Sequence, residues 1–505
     1  MKKNQGKFYL TTAIAYVNAP PHIGHALEFI QADALARFYR LCGDEVYFLT
    51  GTDEHGVKIY ETAKEKGVST LELVNQNAAI YQSLGDKLTL SNDDFIRTTE
   101  ERHKEGAAKI WRKMFEKGDI YKGVYKGNYC VGCEAFILDK DLDENGECPF
   151  HKKKPEILEE ENYFFRLSKY SEQIKKAILS GELKILPEAR KNEMLNIIGE
   201  EGLSDVSFSR PKAVLPWGIE VPGDDTQVMY VWCDALSNYI TALDYAHEGE
   251  LYQKFWPADA HMIGKDILRF HAGIWIGMLM SAGLSIPKAV YVHGFVTGEG
   301  QKMSKSLGNV VDPLVYVEKY GIDALRWYLL REIPTTDDGD FSDGRFLDVY
   351  NSELCNGLGN LVNRVVMMIE KYADGKVPAP CECDVLNDLE ALVRNYRANF
   401  EKFDIRAACE NFLALINLTN KYIDDKKPWI MAKKGDKKLD DVLYHMIELV
   451  RYVCVLVSPM LPGAAGKIAG QLGLKVDDFD LNLQWGDLKN GAVVKRAELL
   501  FARVD

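Results

Sequence analysis

Phe8-Tyr9-Leu10-Thr11-Thr12-Ala13-Ile14-Ala15, then Ala19-Pro20-Pro21, then His22-Ile23-Gly24-His25: the reading of this opening decides the fold. The first segment reads as a short buried strand and the prolines as a turn. Ile23 to Tyr39 then carries apolar residues at helical spacing. Glu45-Val46-Tyr47-Phe48-Leu49-Thr50 is a second strand, ended by Gly51-Thr52-Asp53-Glu54-His55-Gly56. Strand, helix, strand predicts a parallel βαβ unit. The alternation returns after Trp256, where His261-Met262-Ile263-Gly264 leads to a helix and Ala289-Val290-Tyr291-Val292 follows. The expected architecture is therefore a nucleotide-type α/β core split by an insertion. That insertion, from about Lys117 to about Leu215, is turn-rich and charge-dense. From about Asn351 to about Gly466 amphipathic patterns predict a helical bundle, and Lys495 to Asp505 reads as ordinary helix or strand.

A chain of 505 residues is too long for one hydrophobic core, so two to four domains are expected. Apolar residues at 47% and charged residues at 27% make an ordinary globular balance rather than a disordered one. The start, Met1 to Lys7, is basic, but no apolar signal-peptide core follows. The uncharged run between Arg269 and Lys288 holds His271, Gly273, Gly277, Gly283 and Pro287, which predicts a buried helix and not a membrane span. A soluble cytoplasmic protein is the expectation. The net charge of −13 argues on average against nucleic-acid binding, but an average does not exclude one local basic face.

Pro21-His22-Ile23-Gly24-His25 lies where strand turns into helix, so backbone N–H groups and the positive helix end face a bound anion. His22 and His25 share one face of the first turn and can both donate to phosphate oxygens. Gly24 leaves room for a nucleotide against the backbone. Alone, the pair could equally be two helix-capping histidines. Lys302-Met303-Ser304-Lys305-Ser306, bordered by Gly298-Glu299-Gly300 and Gly308-Asn309, would make a cationic clamp for a leaving pyrophosphate; alone it could be a solvated loop. Cys130-Val131-Gly132-Cys133 and Cys148-Pro149-Phe150-His151 have the spacing of a closed, structural Zn²⁺ site with four soft ligands. Such a metal would hold an insertion that has little core. The alternative is four unrelated buried residues. The remaining cysteines, Cys42, Cys233, Cys355, Cys381, Cys383, Cys409 and Cys454, are scattered, and no secretory signal suggests a disulfide framework.

Together the two phosphate motifs resemble the HIGH and KMSKS signatures of class I aminoacyl-tRNA synthetases, in the same order and on the same kinds of element. The resemblance implies a Rossmann-like catalytic core with ATP across the ends of parallel strands. It implies that His22 and His25 donate to the reacting phosphate, that Lys302 and Lys305 hold the outer phosphates, and that Mg²⁺ accompanies ATP. Gly24 and Asp266 would complete the ATP site, with Asp266 on the ribose.

Within the class the chain resembles methionyl-tRNA synthetases over nearly its whole length. The matching segments are Ala13-Ile14-Ala15-Tyr16-Val17-Asn18, Gly51 to Gly56, Tyr230-Val231-Trp232-Cys233-Asp234-Ala235-Leu236-Ser237-Asn238-Tyr239, and Ile263 to His271 with Trp275. The resemblance implies a methionine pocket of Ile14, Trp232, Ala235, Leu236, Tyr239, Ile267, Phe270, His271 and Trp275. Asp53 would take the ammonium and Tyr16 would close over it. Aromatic walls suit a polarizable thioether, although any one of these aromatics could be plain core. Leu236 stands where many relatives carry proline. An insertion of about a hundred residues leaves no room for the editing domain that related isoleucyl, valyl and leucyl enzymes need. The cysteine cluster resembles the single-knuckle form of the family's connective domain.

The bundle resembles the family's reader of the CAU anticodon, with Asn360, Arg364 and Trp429 as contacts to single-stranded bases. Trp429 could instead anchor the core. The implied division is a catalytic domain in two halves (1–116 and 216–295), a zinc-binding connective domain (117–215), a KMSKS-loop region (296–350) and an all-α anticodon-binding domain (351–505). The expected partners are tRNA, ATP and methionine, and the expected state is a monomer. The competing readings are another class I synthetase, such as the cysteinyl one, and a paralogue that only binds RNA or nucleotide.

Overall fold

The computed structural model of the chain describes residues 6–130, 135–137, 142–150, 152–303 and 310–504. Its centre is a parallel sheet built from β1 (Lys7–Thr12), β2 (Ala15–Tyr16), β3 (Glu45–Asp53), β4 (Asp94–Arg97), β5 (Lys184–Leu186), β6 (Ala260–Gly264) and β7 (Ala289–His293). β1 pairs with β3 on one side, Phe8 opposite Val46, and with β6 on the other, Leu10 opposite Ala260. β7 and then β5 extend the β6 side, β4 lies on β3, and β2 meets the end of β3. Every residue of β6 and β7 is buried, as expected of strands covered on both faces. Helix α1 (Ile23–Leu41) follows the first strands and buries Ile23, Leu27, Ile30 and Phe38 against the sheet and the helices beyond it.

The chain leaves β1 for β3 in one direction and returns as β6 in the other. The strand order therefore reverses between β1 and β6, and their carboxyl ends part to leave a crevice. This is where doubly wound sheets bind ligands.

The expected insertion carries an antiparallel sheet of Ile120–Cys130, Ala135–Ile137, Glu156–Phe165 and Val206–Ser207. It also lends β5 to the edge of the central sheet, Ile185 opposite Val290, so this region is built into the core. The run after Arg269 is buried helix, as expected, beginning as a π turn at Phe270–Trp275 and continuing through Ile276–Ala282. No helix among the described residues is long and apolar enough to cross a membrane.

Beyond residue 350 the fold is helical: Asn360–Tyr372, Leu386–Glu401, Ile405–Lys426, Pro428–Lys434, Leu439–Val457 and Pro462–Leu472. The Leu439–Val457 helix is buried on all sides from Val442 to Val457, which makes it the bundle's central element. One expectation is corrected here: the described residues of the last segment, 495–504, form neither helix nor strand. They run back over the body, where the carbonyls of Ala502 and Val504 accept from Tyr350 and Asn351 at 2.8 Å. Side-chain donors thus satisfy backbone groups that a regular element would have paired.

Candidate active site

The crevice between the ends of β1 and β6 opens into a cavity of about 790 Å³. His22, Gly24 and His25 enter it from the head of α1, while Ile14, Tyr16 and Asp53 enter from the ends of the first strands. Trp232, Ala235, Leu236 and Tyr239 come from a short helical segment, and Asp266, Ile267, Phe270 and His271 from the turn after β6. Residues far apart in sequence thus converge because parallel strands deliver all their carboxyl ends to one edge.

The two histidines cap the helix and in doing so set their own tautomers. His22 is the N-cap, and its Nδ1 accepts from the Gly24 N–H at 3.1 Å. His25 Nδ1 accepts from the His22 N–H at 3.2 Å. Because Nδ1 accepts in each ring, a donor proton belongs on Nε2. Desolvation, with His22 and His293 nearby, pushes the His25 pKa down to about 3, so His25 is a neutral donor at physiological pH. Its Nε2 lies 3.3 Å from the Tyr81 hydroxyl. Capping therefore uses Nδ1 of each ring, and His25 Nε2 would have to exchange its Tyr81 partner for a phosphate oxygen to serve as a donor there.

The apolar end of the cavity is equally organised. Trp232 stacks on Phe270 with centroids 3.9 Å apart and planes 5° from parallel. His271 donates Nδ1–H to the Ile267 carbonyl at 3.0 Å and accepts the Tyr239 hydroxyl on Nε2 at 2.7 Å. Burial holds His271 down at about 4, so it stays neutral and can act as that acceptor. Trp275 does not line the cavity. It is fully buried behind Tyr239 and donates its indole N–H to His261 Nε2 at 3.2 Å. His261 in turn meets Thr11 at 2.8 Å and stacks on Tyr239. Trp275 thus supports the pocket wall from the second layer.

Two further arrangements were given no role in the sequence reading. Glu28 accepts from the Ala13 N–H at 2.8 Å and from His293 Nε2 at 2.9 Å, and both side chains line the cavity. Burial disfavours a charge on His293, but Glu28 outweighs it and raises the imidazole pKa above its ordinary value. Asp234, fully buried, receives His55 at 2.6 Å and His103 at 2.7 Å. Burial works to raise its pKa, yet the two histidines prevail and hold the carboxyl at about 2. This triad fastens the segment bearing Trp232 to the strand end bearing Asp53.

The family model described as tRNA synthetases class I (M) matches residues 8–153 and 141–366, and that of the anticodon binding domain of methionyl tRNA ligase matches residues 373–505. The chain belongs to the methionine–tRNA ligase family. The methionine–tRNA ligase of Caldanaerobacter subterraneus subsp. tengcongensis is 46% identical over 514 residues, covering 100% of this chain and 80% of that one. That of Thermotoga maritima is 42% identical over 509 residues, covering 99% and 80%. The Mycobacterium tuberculosis methionyl-tRNA synthetase in complex with methionyl-adenylate superposes with a TM-score of 0.93 at 39% identity, covering 99% of this chain and 100% of that one. Its apo form gives 0.87 at 36% identity, covering 99% and 98%. The fold is that of the family: a Rossmann-like class I core followed by an anticodon-binding helical domain, which makes tRNA the macromolecular partner.

Of the remaining family motifs, Lys305, Cys133 and His151 lie outside the described residues, as does the side chain of Lys302. The chain just beyond the lysine motif returns to the helix head, where the Ile23 N–H donates to the Val311 carbonyl at 3.1 Å. Cys130 and Cys148 are both buried in one small cluster with Ile137. Next to Cys148, Pro149 and Phe150 reach the cavity wall. In the bundle, Asn360 is exposed, and Arg364 on the same helix face bonds Asn420 at 3.3 Å and Asp424 at 3.0 Å. Trp429 is half-buried against the core, so it offers both an anchor and an accessible face.

Proposed function

We propose that the chain activates methionine with ATP in the cavity between β1 and β6 and then transfers the methionyl group to the 3′ end of its tRNA. One observation carries this reading: the same cavity holds helix-capping imidazole donors at one end and a stacked aromatic pocket at the other. The methionine thioether packs among Ile14, Trp232, Ala235, Leu236, Tyr239, Ile267, Phe270 and His271. Asp53 receives its ammonium, and Tyr16 closes the entrance.

The methionine carboxylate attacks the α-phosphate and pyrophosphate leaves; Mg²⁺ held with ATP would offset charge on the phosphates. His22 and His25 donate Nε2–H as negative charge grows on the phosphoryl oxygens. Gly24 and Asp266 seat the nucleoside, and Lys302 and Lys305 hold the outer phosphates. The protein supplies positioning and preorganised donors, with no covalent step of its own. In the second step the tRNA terminal hydroxyl attacks the activated carbonyl and releases AMP. Exchange of pyrophosphate into ATP should depend on methionine and fail with leucine, cysteine or no amino acid. Equal exchange with leucine or cysteine would remove the assignment.

The donor chemistry fits a structural Zn²⁺: Cys130 and Cys148 are buried thiols in a cluster too small to stand by hydrophobic contact alone. With Cys133 and His151 they would hold one ion, which supplies rigidity to a region that touches the cavity through Phe150.

The helical domain reads the CAU anticodon through Asn360, Arg364 and Trp429, and the protein works in the cytoplasm. Trp429→Ala should leave methionine-dependent exchange nearly intact and lower aminoacylation about 10–100-fold, since stacking on a base is worth ~1–3 kcal/mol. If melting temperature falls while charging is unchanged, Trp429 is a core anchor only.

A further inference from the structure

Cys381, Cys383 and Asp384 lie on the connection between the Asn360–Tyr372 and Leu386–Glu401 helices, facing His445 of the central bundle helix. A ligand atom from each of Cys383, Asp384 and His445 lies within 4.8 Å of the others. Cys381 Sγ lies 3.1 Å from His445 Nε2. On the other side of the ring, Nδ1 is 2.6 Å from the Tyr422 hydroxyl. When Nδ1–H is donated to that oxygen, Nε2 presents its lone pair to the cysteines, the arrangement that orients metal-binding histidines.

We propose that Cys381, Cys383, Asp384 and His445 form a second site for a thiophilic divalent cation, Zn²⁺, which ties the 381–384 connection to the central helix of the bundle. Two sulfurs, one imidazole and one carboxylate are a donor set for tetrahedral Zn²⁺. Its ligand atoms stand roughly 3.4–3.8 Å apart in such a site. Cys383, Asp384 and His445, within 4.8 Å of one another, close to that by rotation of surface side chains, and Cys381, outside that trio but 3.1 Å from the His445 ring, joins by the same motion, since Cys381 and Cys383 are half-exposed and Asp384 is exposed. The same exposure gives the ion its path in. The connection is already held in place, because the Trp485 indole donates to the Cys381 carbonyl at 2.7 Å.

Charge favours the ion as well. Zn²⁺ with two thiolates and a carboxylate leaves one negative charge, and Lys426, now 2.6 Å from Asp384, balances it. Cys381 and Cys383 would bind as thiolates, so loading gives up their two thiol protons to solvent.

The site is independent of the cluster around Cys130, and the test separates the two. The full chain is stripped with chelator under reducing conditions, loaded with Zn²⁺ alone and analysed for bound metal. Wild type should hold two ions, Cys130→Ser one, Cys383→Ser one and the double variant none. Asp384→Asn should keep the fold and weaken retention of one ion. In the Cys130→Ser background Zn²⁺ should raise the melting temperature, and adding Cys383→Ser should abolish the rise. Equal zinc in wild type and Cys383→Ser overturns the proposal. So does a wild type that holds one ion and loses it on Cys130→Ser. One ion that survives Cys130→Ser but not Cys383→Ser upholds this site and removes the other.

Discussion

Replacing His22 by Ala should slow methionyl-adenylate formation by about 10²–10³-fold, the usual loss for one transition-state donor. Methionine affinity should change little, because the imidazole acts on phosphate and not on the thioether end of the cavity. The same substitution also removes the N-cap of α1, where the ring accepts from the Gly24 N–H, and so costs about 1 kcal/mol of stability. The two losses can be separated. Asparagine is among the best N-cap residues but cannot place a donor where Nε2 projects, so His22→Asn should recover the melting temperature and not the rate. Pre-steady-state activation and thermal melting on all three proteins read both effects. Full recovery of the rate by asparagine would mean that His22 only shapes the helix.

The βαβ opening was legible because its cues are local. Strand, proline turn and helical period occupy the first 41 residues, and the histidines fall where the period begins. The strand-end position of Asp53 was legible for the same reason, whereas Asp266, in the turn after β6, was singled out only by the family resemblance. β5 was not. Lys184–Leu186 is three residues in a charged, turn-rich stretch, and its partner β7 lies about a hundred residues on. Nor did any local pattern announce the layer behind the pocket. Asp234 meets His55 and His103 across 179 and 131 residues, and their residue types alone do not pair them. Trp275 was read as pocket wall because a buried aromatic near a ligand segment looks the same in sequence whether it faces the cavity or backs it. Its indole N–H decides the matter: it is spent on His261, behind Tyr239.

The other large effect should come from the joint between the catalytic helix and the bundle. Asp33 of α1 and Arg326 are both fully buried, 2.7 Å apart. Arg326 also donates to the carbonyls of Met460 at 2.7 Å and Pro459 at 3.1 Å, just past the central bundle helix. Asp33 accepts from the Ser91 N–H and hydroxyl and from Arg37. Removing one member of a buried pair strands the other charge without water, so Asp33→Ala should destabilise the fold by ~3–5 kcal/mol. Asp33→Ala with Arg326→Met should cost less than the two single losses added together, because no charge is then left unpaired.

The sign of the pH dependence follows from the carboxyl. Burial works to raise the Asp33 pKa, but Arg326 and Arg37 outweigh it and hold it below its ordinary value. A carboxyl with a depressed folded pKa contributes stability above its unfolded value of about 3.9 and loses it as pH falls toward the folded value. The gap in denaturant midpoint between wild type and Asp33→Ala should therefore be full at neutral pH and narrow in acid below about pH 4. A midpoint for Asp33→Ala equal to wild type at neutral pH would show that the pair contributes nothing to holding the bundle on the catalytic core. A gap that persists unchanged in acid would show that Asp33 acts there through packing and not through its charge.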